Sequence, residues 1–255
     1  MKYSIIGAGN VAHHLATMLS DNGHELLYIF GRNEADAKQI AVLSGGSFTN
    51  SLSDITTKND LVFLAVSDDS IRTISKVLPK DLPLVHTSGN TALNALSQNI
   101  CGVVWPLYSF TKNKKIEYNE IPFLLETCNE NLKNKLFEVF SKISSNVHYI
   151  TSEERKKVHL AAVFANNFTN HLHRIAGTIL SEIPLTFDVL LPMIKDQIAN
   201  VDHTTLLAQQ SGPARRDDRG TIEDHLRMIK QNEDLTSIYT TITNSILKTY
   251  HGKKL

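Results

Sequence analysis

The sequence predicts a doubly wound α/β domain built on a parallel sheet, followed by an all-α domain. Three observations carry this. Gly7, Gly9 and Ala12 stand in the spacing G-x-G-x-x-A between an apolar run and an amphipathic pattern. Short runs that are apolar on both faces alternate with helical patterns as far as about Ile150, the mark of a parallel sheet covered on each side. Beyond Ile150 the strand signal stops and apolar residues recur three and four apart. A chain of 255 residues has room for one large or two modest domains.

The elements follow in order. "YSIIGAG" reads as a strand, and Val11, Leu15, Met18 and Leu19 then recur at helical spacing. "HELLYIF" is a strand, Glu34 to Leu43 a helix, "DLVFLAV" a strand, "IRTISKVL" a helix, and "LPLVHTS" and "CGVVWPL" are strands. "IPFLLET" and "VHYIT" add two more around the helical "NLKNKLFEVFSKI". Thr151 and Glu154 form a capping-box pattern that opens a long helix. Val158, Ala161, Ala165, Phe168, Leu172, Ile175 and Ile179 continue it without proline until Pro184, for a length of roughly 40 Å at ~1.5 Å per residue. Helices over Phe187 to Asn200, Thr221 to Gln231 and Asp234 to Tyr250 follow, interrupted by "QQSGPARRDDRG". The expected domains are therefore residues 1–151, dinucleotide-binding, and 152–255, helical.

Lys+Arg and Asp+Glu both number 26, so no basic face recruits nucleic acid or an anionic membrane. The longest apolar runs fall far short of a membrane span, and the residues before the first glycine are too few for a signal-peptide core. The expected location is cytoplasmic. Cys101 and Cys128 have no metal-ligand spacing and read as two buried thiols in a reducing compartment. No metal motif is present.

The glycine stretch carries chemistry. Gly7 lets the chain turn tightly out of its strand. Gly9, without a side chain, lets a pyrophosphate reach the backbone, and Ala12 lets the helix pack close to the sheet. With Ala8, Asn10 and Val11 these residues set phosphates on unpaired N–H groups at a helix N-terminus. NAD-binding folds place an acid roughly 20 residues on, to grip the ribose 2′-OH. Here the second strand ends "YIFGRN", with Arg32 at that place between Gly31 and Asn33. A guanidinium favours a 2′-phosphate through a charge-assisted contact, which predicts NADP over NAD. Ala65, Val66 and Ser67, and then His86, Thr87, Ser88 and Gly89, end later strands where they would line the cofactor. Ser67 and Ser88 fit helix capping equally well.

"YSIIGAGNVAHHLA", "YIFGRN", "LVFLAVSDDSI" and "VHTSGNTAL" resemble the N-terminal domain of NADP oxidoreductases of the deazaflavin-dependent type and of pyrroline-carboxylate reductases. "VHLAAVFANNF", "LLPMI", "SGPARRDD" and "TIEDHL" are similar to a helical domain of unknown function joined to that Rossmann domain in bacteria, of the kind that ends 6-phosphogluconate dehydrogenases. The resemblance implies a homodimer interlocked through the helical domains, with a small-molecule substrate in the cleft between domains. Two departures stand out. Trp105 occupies the place of a usual histidine, and Arg216 that of a usual glycine.

On the long helix His159, Asn166, Asn170 and His173 return to nearly one face, polar but uncharged. A solvated face would carry charges, as Glu153 to Lys157 do. His159 and Asn167 match the family helix. A histidine there could protonate a carbonyl oxygen or imine nitrogen, and an asparagine could position nicotinamide or substrate. Asn166 is a further substrate-side candidate, and a polar packing network accounts for the stripe equally well. Arg215, Asp217 and His225 form a second group: Arg215 could clamp a substrate carboxylate beside Asp217, and His225 joins the catalytic candidates. A loop salt bridge with a surface histidine explains them too. His13 and His14 read as helix surface. The 3-hydroxyacid dehydrogenases need a lysine four residues before the helix asparagine. Val163 and Ala162 stand there instead, which argues against that mechanism. Two functions remain open: an NADP-dependent reductase of a small imine or carbonyl, and a non-catalytic NADP(H)-binding sensor. A reduced deazaflavin as hydride partner is a third reading.

Overall fold

The computed structural model describes residues 1–112, 114–202, 205–252 and 255. The chain divides into two compact units, Met1–Leu172 and His173–Leu255. The loss of strand signal at Thr151 marks a change of element type, whereas the division of contacts comes later, within the long helix.

The first unit is an eight-stranded sheet. Strand β1 (Lys2–Ile6) leads into helix α1 (Asn10–Asp21), then come β2 (Glu25–Phe30), α2 (Glu34–Ser44), β3 (Ser47–Thr49), β4 (Leu61–Leu64), α3 (Asp68–Val77), β5 (Leu84–His86), β6 (Cys101–Pro106), β7 (Phe123–Thr127), α4 (Glu130–Phe140) and β8 (Val147–Tyr149). The spatial order is β3-β2-β1-β4-β5-β6-β7-β8, and its first six strands follow the 3-2-1-4-5-6 order of dinucleotide-binding sheets. Period-two alternation sorts the side chains into two cores. Tyr3, Ile5, Phe63 and Val85 lie in one cluster with α1, α2 and α4, while Ile6, Val62, Leu64 and Leu84 lie in the other with Ile71 of α3. All four residues of β4 are buried, as a central strand covered on both faces must be.

Four expectations need correction. β7 runs antiparallel to β6. The described residues between 107 and 122 contain no crossover helix, and the Leu107 N–H bonds back to the Pro122 carbonyl at 2.8 Å, so the chain returns as a long hairpin. His14 is buried, not surface: one ring nitrogen lies 2.9 Å from the Tyr118 hydroxyl, the other 2.9 Å from the Thr111 carbonyl, and the ring stacks on Phe110. Cys128 is exposed and only Cys101 is buried. Arg155, counted among the solvated charges, is fully buried.

The long helix is three pieces in series: α5 (Ser152–Ala162), a π-helical turn over Val163–Phe168, and α6 (Thr169–Leu180). The capping box at its start is complete, with Thr151 and Glu154 satisfying each other's backbone N–H. The remaining helices are α7 (Leu191–Ala199), α8 (Pro213–Arg216), α9 (Arg219–Ile229) and α10 (Glu233–His251). The stretch expected to break the helical series thus holds α8. Asp218, not Thr221, caps α9, accepting the Thr221 N–H. His225 consequently lies in the second turn of that helix rather than the first. Among the described residues no helix is long and apolar enough to cross a membrane.

Candidate functional site

A groove of about 920 Å³ opens beyond the carboxyl ends of β1, β2 and β4. Gly7, Ala8 and Gly9 form its floor, Gly31, Arg32 and Asn33 one end, and Ala65, Val66 and Ser67 a wall. Gly7 has φ +129°, and a Cβ there would lie 2.0 Å from the Ala65 carbonyl oxygen. The glycine is therefore demanded by the passage of β4 as well as by the turn. A Cβ at Gly9 would meet no protein atom within 4 Å. The space beside it is open, as an approaching pyrophosphate requires. Helix α1 begins at Gly9 with no side-chain cap and no acidic residue in its first turn. By contrast Asn33, Asn129, Thr151, Asp218 and Asn232 each cap a helix. The first N–H groups of α1 are thus left for an anion. The residues present fit a dinucleotide.

Asn10, Val11 and Ala12 form the first turn of α1. Ala12 is fully buried in the core cluster, where its small side chain permits close packing. Gly31 is buried, and a Cβ on it would crowd Ala37 and Ala8. Arg32 is exposed at the groove's end, and Asn33 spends its side chain on capping α2 through the Asp36 N–H. The two acids near Arg32 are each neutralised: Glu34 pairs with Lys38, and Asp36 with Lys112 at 2.8 Å. Lys112 comes from the 107–122 connection, which His14 tethers to α1 and whose Lys112 N–H also reaches the Asn10 side chain at 3.3 Å. Ser88 and Gly89 follow β5 outside the groove lining. Ser88 Oγ accepts the N–H groups of Asn90 and Thr91, so it stabilises its own turn.

A second group gathers around the end of β6. The Trp105 indole lies over Gly89, where a Cβ would come within 2.6 Å of the ring. The same indole meets the His159 ring edge-on, centroids 5.6 Å apart. Asn166 donates to Ser109 Oγ at 2.9 Å, so His159 turns to the end of β6 and Asn166 to the segment that follows it. Asn167 is exposed in the π-helical turn. Such turns are rare and recur at functional sites. His173, expected on the same stripe, belongs to the second unit and packs on Phe187.

The first turn of α5 is anchored by a buried ion pair that sequence reasoning missed. Arg155 donates to Glu126 of β7 and to the Thr91 carbonyl, and Ser152 Oγ donates to Glu126 at 2.8 Å. Nearby, burial first and the Arg155 charge second hold the His86 imidazole down to about 3. His86 is thus a neutral structural group. The only sequence signal for Arg155 was its position on a charged first turn.

In the helical unit the second group separates into individual partnerships. Arg215 stacks on Tyr250 at 4.3 Å, Asp217 pairs with Arg219 at 2.7 Å, and His225 Nδ1 hydrogen-bonds the Tyr239 hydroxyl at 2.8 Å. Burial raises the Tyr239 pKa. Asp217 has a left-handed backbone, φ 56°, closing α8.

Residues 2–85 match the family described as NADP oxidoreductase, coenzyme F420-dependent, and residues 121–246 match a domain of unknown function, DUF2520. No curated protein matches the chain in sequence. Among solved structures, a provisionally named NADP oxidoreductase from Bacteroides fragilis is 30% identical, covers 97% of this chain and 98% of its own, and superposes with a TM-score of 0.89. An imine reductase from Myxococcus stipitatus in complex with NADP+ shares the fold at 14% identity, coverage 99% and 96%, TM-score 0.69. So does 1-pyrroline-5-carboxylate reductase from Streptococcus pyogenes, at 15% identity, coverage 99% of each chain, TM-score 0.62. With its open, uncapped glycine loop on a six-strand dinucleotide-binding order and these whole-chain likenesses, the chain belongs to the NADP oxidoreductase family in which a coenzyme F420-dependent-type domain is joined to a DUF2520 domain.

Proposed function

We propose that the protein is an NADPH-dependent reductase of a small imine or carbonyl compound. The observation that carries this is the electrostatics of the groove's far end. Lys112 and Lys38 cancel the acids flanking Arg32, which lines the groove, so its charge is available to a 2′-phosphate. The α1 N-terminus holds the pyrophosphate on its bare N–H groups, with Gly7, Ala8, Gly9, Asn10 and Val11 shaping the loop and Ala12 its packing. Gly31 and Asn33 flank the adenosine end, and Ala65, Val66, Ser67, Ser88 and Gly89 serve the ribose and nicotinamide side. NADPH supplies the hydride. His159, held edge-on by Trp105, donates a proton to the substrate heteroatom. Asn167 positions the reacting group, and Asn166, already fixed by Ser109, contacts substrate. In the helical unit Arg215 and Asp217 bind polar substrate groups and His225 is a second proton carrier. The working form is a homodimer assembled through that unit.

Paired titration with NADPH and NADH tests the reading. The parent should bind NADPH at least tenfold more tightly, a preference of about 1.4 kcal/mol. Arg32→Ala should remove most of that preference while leaving NADH affinity unchanged. Equal affinities in the parent would refute it.

A second reading, an NADP(H) sensor without turnover, is favoured by Trp105, whose indole covers Gly89 and occupies one edge of His159. Tight NADPH binding with no oxidation across a broad panel of imines and carbonyls would decide for the sensor.

A further inference from the structure

The chain's two cysteines are paired by the fold, although 27 residues separate them in sequence. Cys101 opens β6, and Cys128 directly follows the last residue of β7. The antiparallel register that sets Gly102 opposite Thr127 sets these two opposite each other. The ladder reaches them: the Cys128 N–H donates to the Cys101 carbonyl at 3.0 Å, and the Cys101 N–H donates to Cys128 Sγ at 3.1 Å. The Cys128 thiol in turn donates to the Asn99 carbonyl at 3.6 Å. Gly102 draws the strands together here, since a Cβ on it would lie 2.8 Å from the Glu126 carbonyl oxygen. Residues directly opposite in an antiparallel pair have Cα atoms about 4.5–5.5 Å apart. A disulfide spans about 4.4–6.8 Å, so the bond needs no large backbone movement. Both thiols are free, and their exposure differs: Cys128 is open to solvent and Cys101 is buried.

We propose that Cys101 and Cys128 are a reversible oxidation site, closing to an intrachain disulfide across the β6–β7 pair when a hydroperoxide reaches Cys128. β6 runs parallel to β5, β4 and β1, so its first residue lies at the sheet edge opposite the glycine loop. The site is therefore separate from the dinucleotide groove. In the first step the Cys128 thiolate attacks one peroxide oxygen. The S–O bond forms, the O–O bond breaks, and the departing oxygen takes a proton and leaves as water or alcohol. Cys101 then attacks the Cys128 sulfenic sulfur. The S–S bond forms, the S–O bond breaks, and hydroxide leaves with the Cys101 proton as water. Two thiols are oxidised and one peroxide reduced. Burial, followed by the Cys128 hydrogen bond and charge, pushes the Cys101 thiol up to about 12. The second step therefore accelerates as pH rises. Reducing thiols reverse the closure.

The test treats the purified chain with one equivalent of hydrogen peroxide and counts thiols after denaturation. Expected is a fall from two thiols to none, a monomer mass lower by two hydrogens, and recovery with dithiothreitol. In C101S the resolving thiol is gone, so Cys128 should accumulate as a sulfenic acid that dimedone traps, and dimedone labelling of the parent should be at least tenfold lower. Two thiols persisting in the parent, or equal dimedone labelling of parent and C101S, would overturn the proposal. So would intermolecular disulfides as the sole product.

Discussion

The two compact units finish their cores in different ways. In the unit of Met1–Leu172 both faces of the sheet are covered, and Tyr3, Phe63, Phe123 and Phe140 are buried completely. In the unit of His173–Leu255 the buried hydrophobic side chains among the described residues are Ala214, Ile222 and Leu247. Ile179, Ile183, Val189, Met193, Ile198 and Leu207 stay exposed. A sheet clad by helices closes its own interior, because each helix needs only one apolar stripe and the sheet offers two apolar faces. Short amphipathic helices without a sheet leave apolar surface over, and surface of that kind marks contact with another molecule. This contrast supports the proposed homodimer through the helical unit.

Breaking the buried ion pair should give the largest effect. Arg155→Ala leaves Glu126 without its cation in a mostly buried place and should cost about 3–5 kcal/mol in urea unfolding. The double variant Arg155→Met/Glu126→Leu should recover much of that loss, because it leaves no unpaired charge. A cost below about 1 kcal/mol for Arg155→Ala would mean that the first unit does not depend on this anchor.

Acid should act next. The His86 pKa is about 3 in the fold, against an ordinary value of about 6.5 in the unfolded chain. Between those values the unfolded chain binds a proton that the folded chain refuses. The stability His86 contributes is thus complete above about 6.5 and is lost as pH falls toward 3, reaching about 3 kcal/mol near pH 4. His86→Gln should flatten this limb of stability against pH. An unchanged slope would remove His86 as its source.

The smallest effects sharpen the comparison most. Met193→Glu in the helical unit and Val42→Glu in the sheet unit both replace exposed apolar residues, 65% and 81% accessible. Val42→Glu should change neither stability nor mass in solution, staying within about 0.5 kcal/mol. Met193→Glu should weaken self-association at least tenfold by analytical ultracentrifugation. Equal, negligible effects would show that the helical unit's apolar surface is solvent-facing.

The glycine loop was legible because its demands are local: Gly7 at positive φ, an open space at Gly9 and a buried Ala12 all concern a few consecutive residues. The long helix and its capping box were legible for the same reason. The short β3 escaped because three residues carry too little pattern. The π-helical turn escaped because apolar spacing of three and four reads alike on either side of it. His14 and Arg155 were misread because their partners, Thr111 and Glu126, are distant in sequence.

By itself the sequence determined the element types, the dinucleotide loop and the division into a sheet part and a helical part, since periodicity and glycine spacing express backbone requirements within a few residues. Only the tertiary structure decided that β7 turns back antiparallel, that Lys112 cancels Asp36 beside Arg32, that Trp105 covers Gly89 and meets His159, and that Cys101 faces Cys128. Those facts depend on which distant segments become neighbours, and a charge or a thiol has the same letter whether its partner is water, a carboxylate or another thiol.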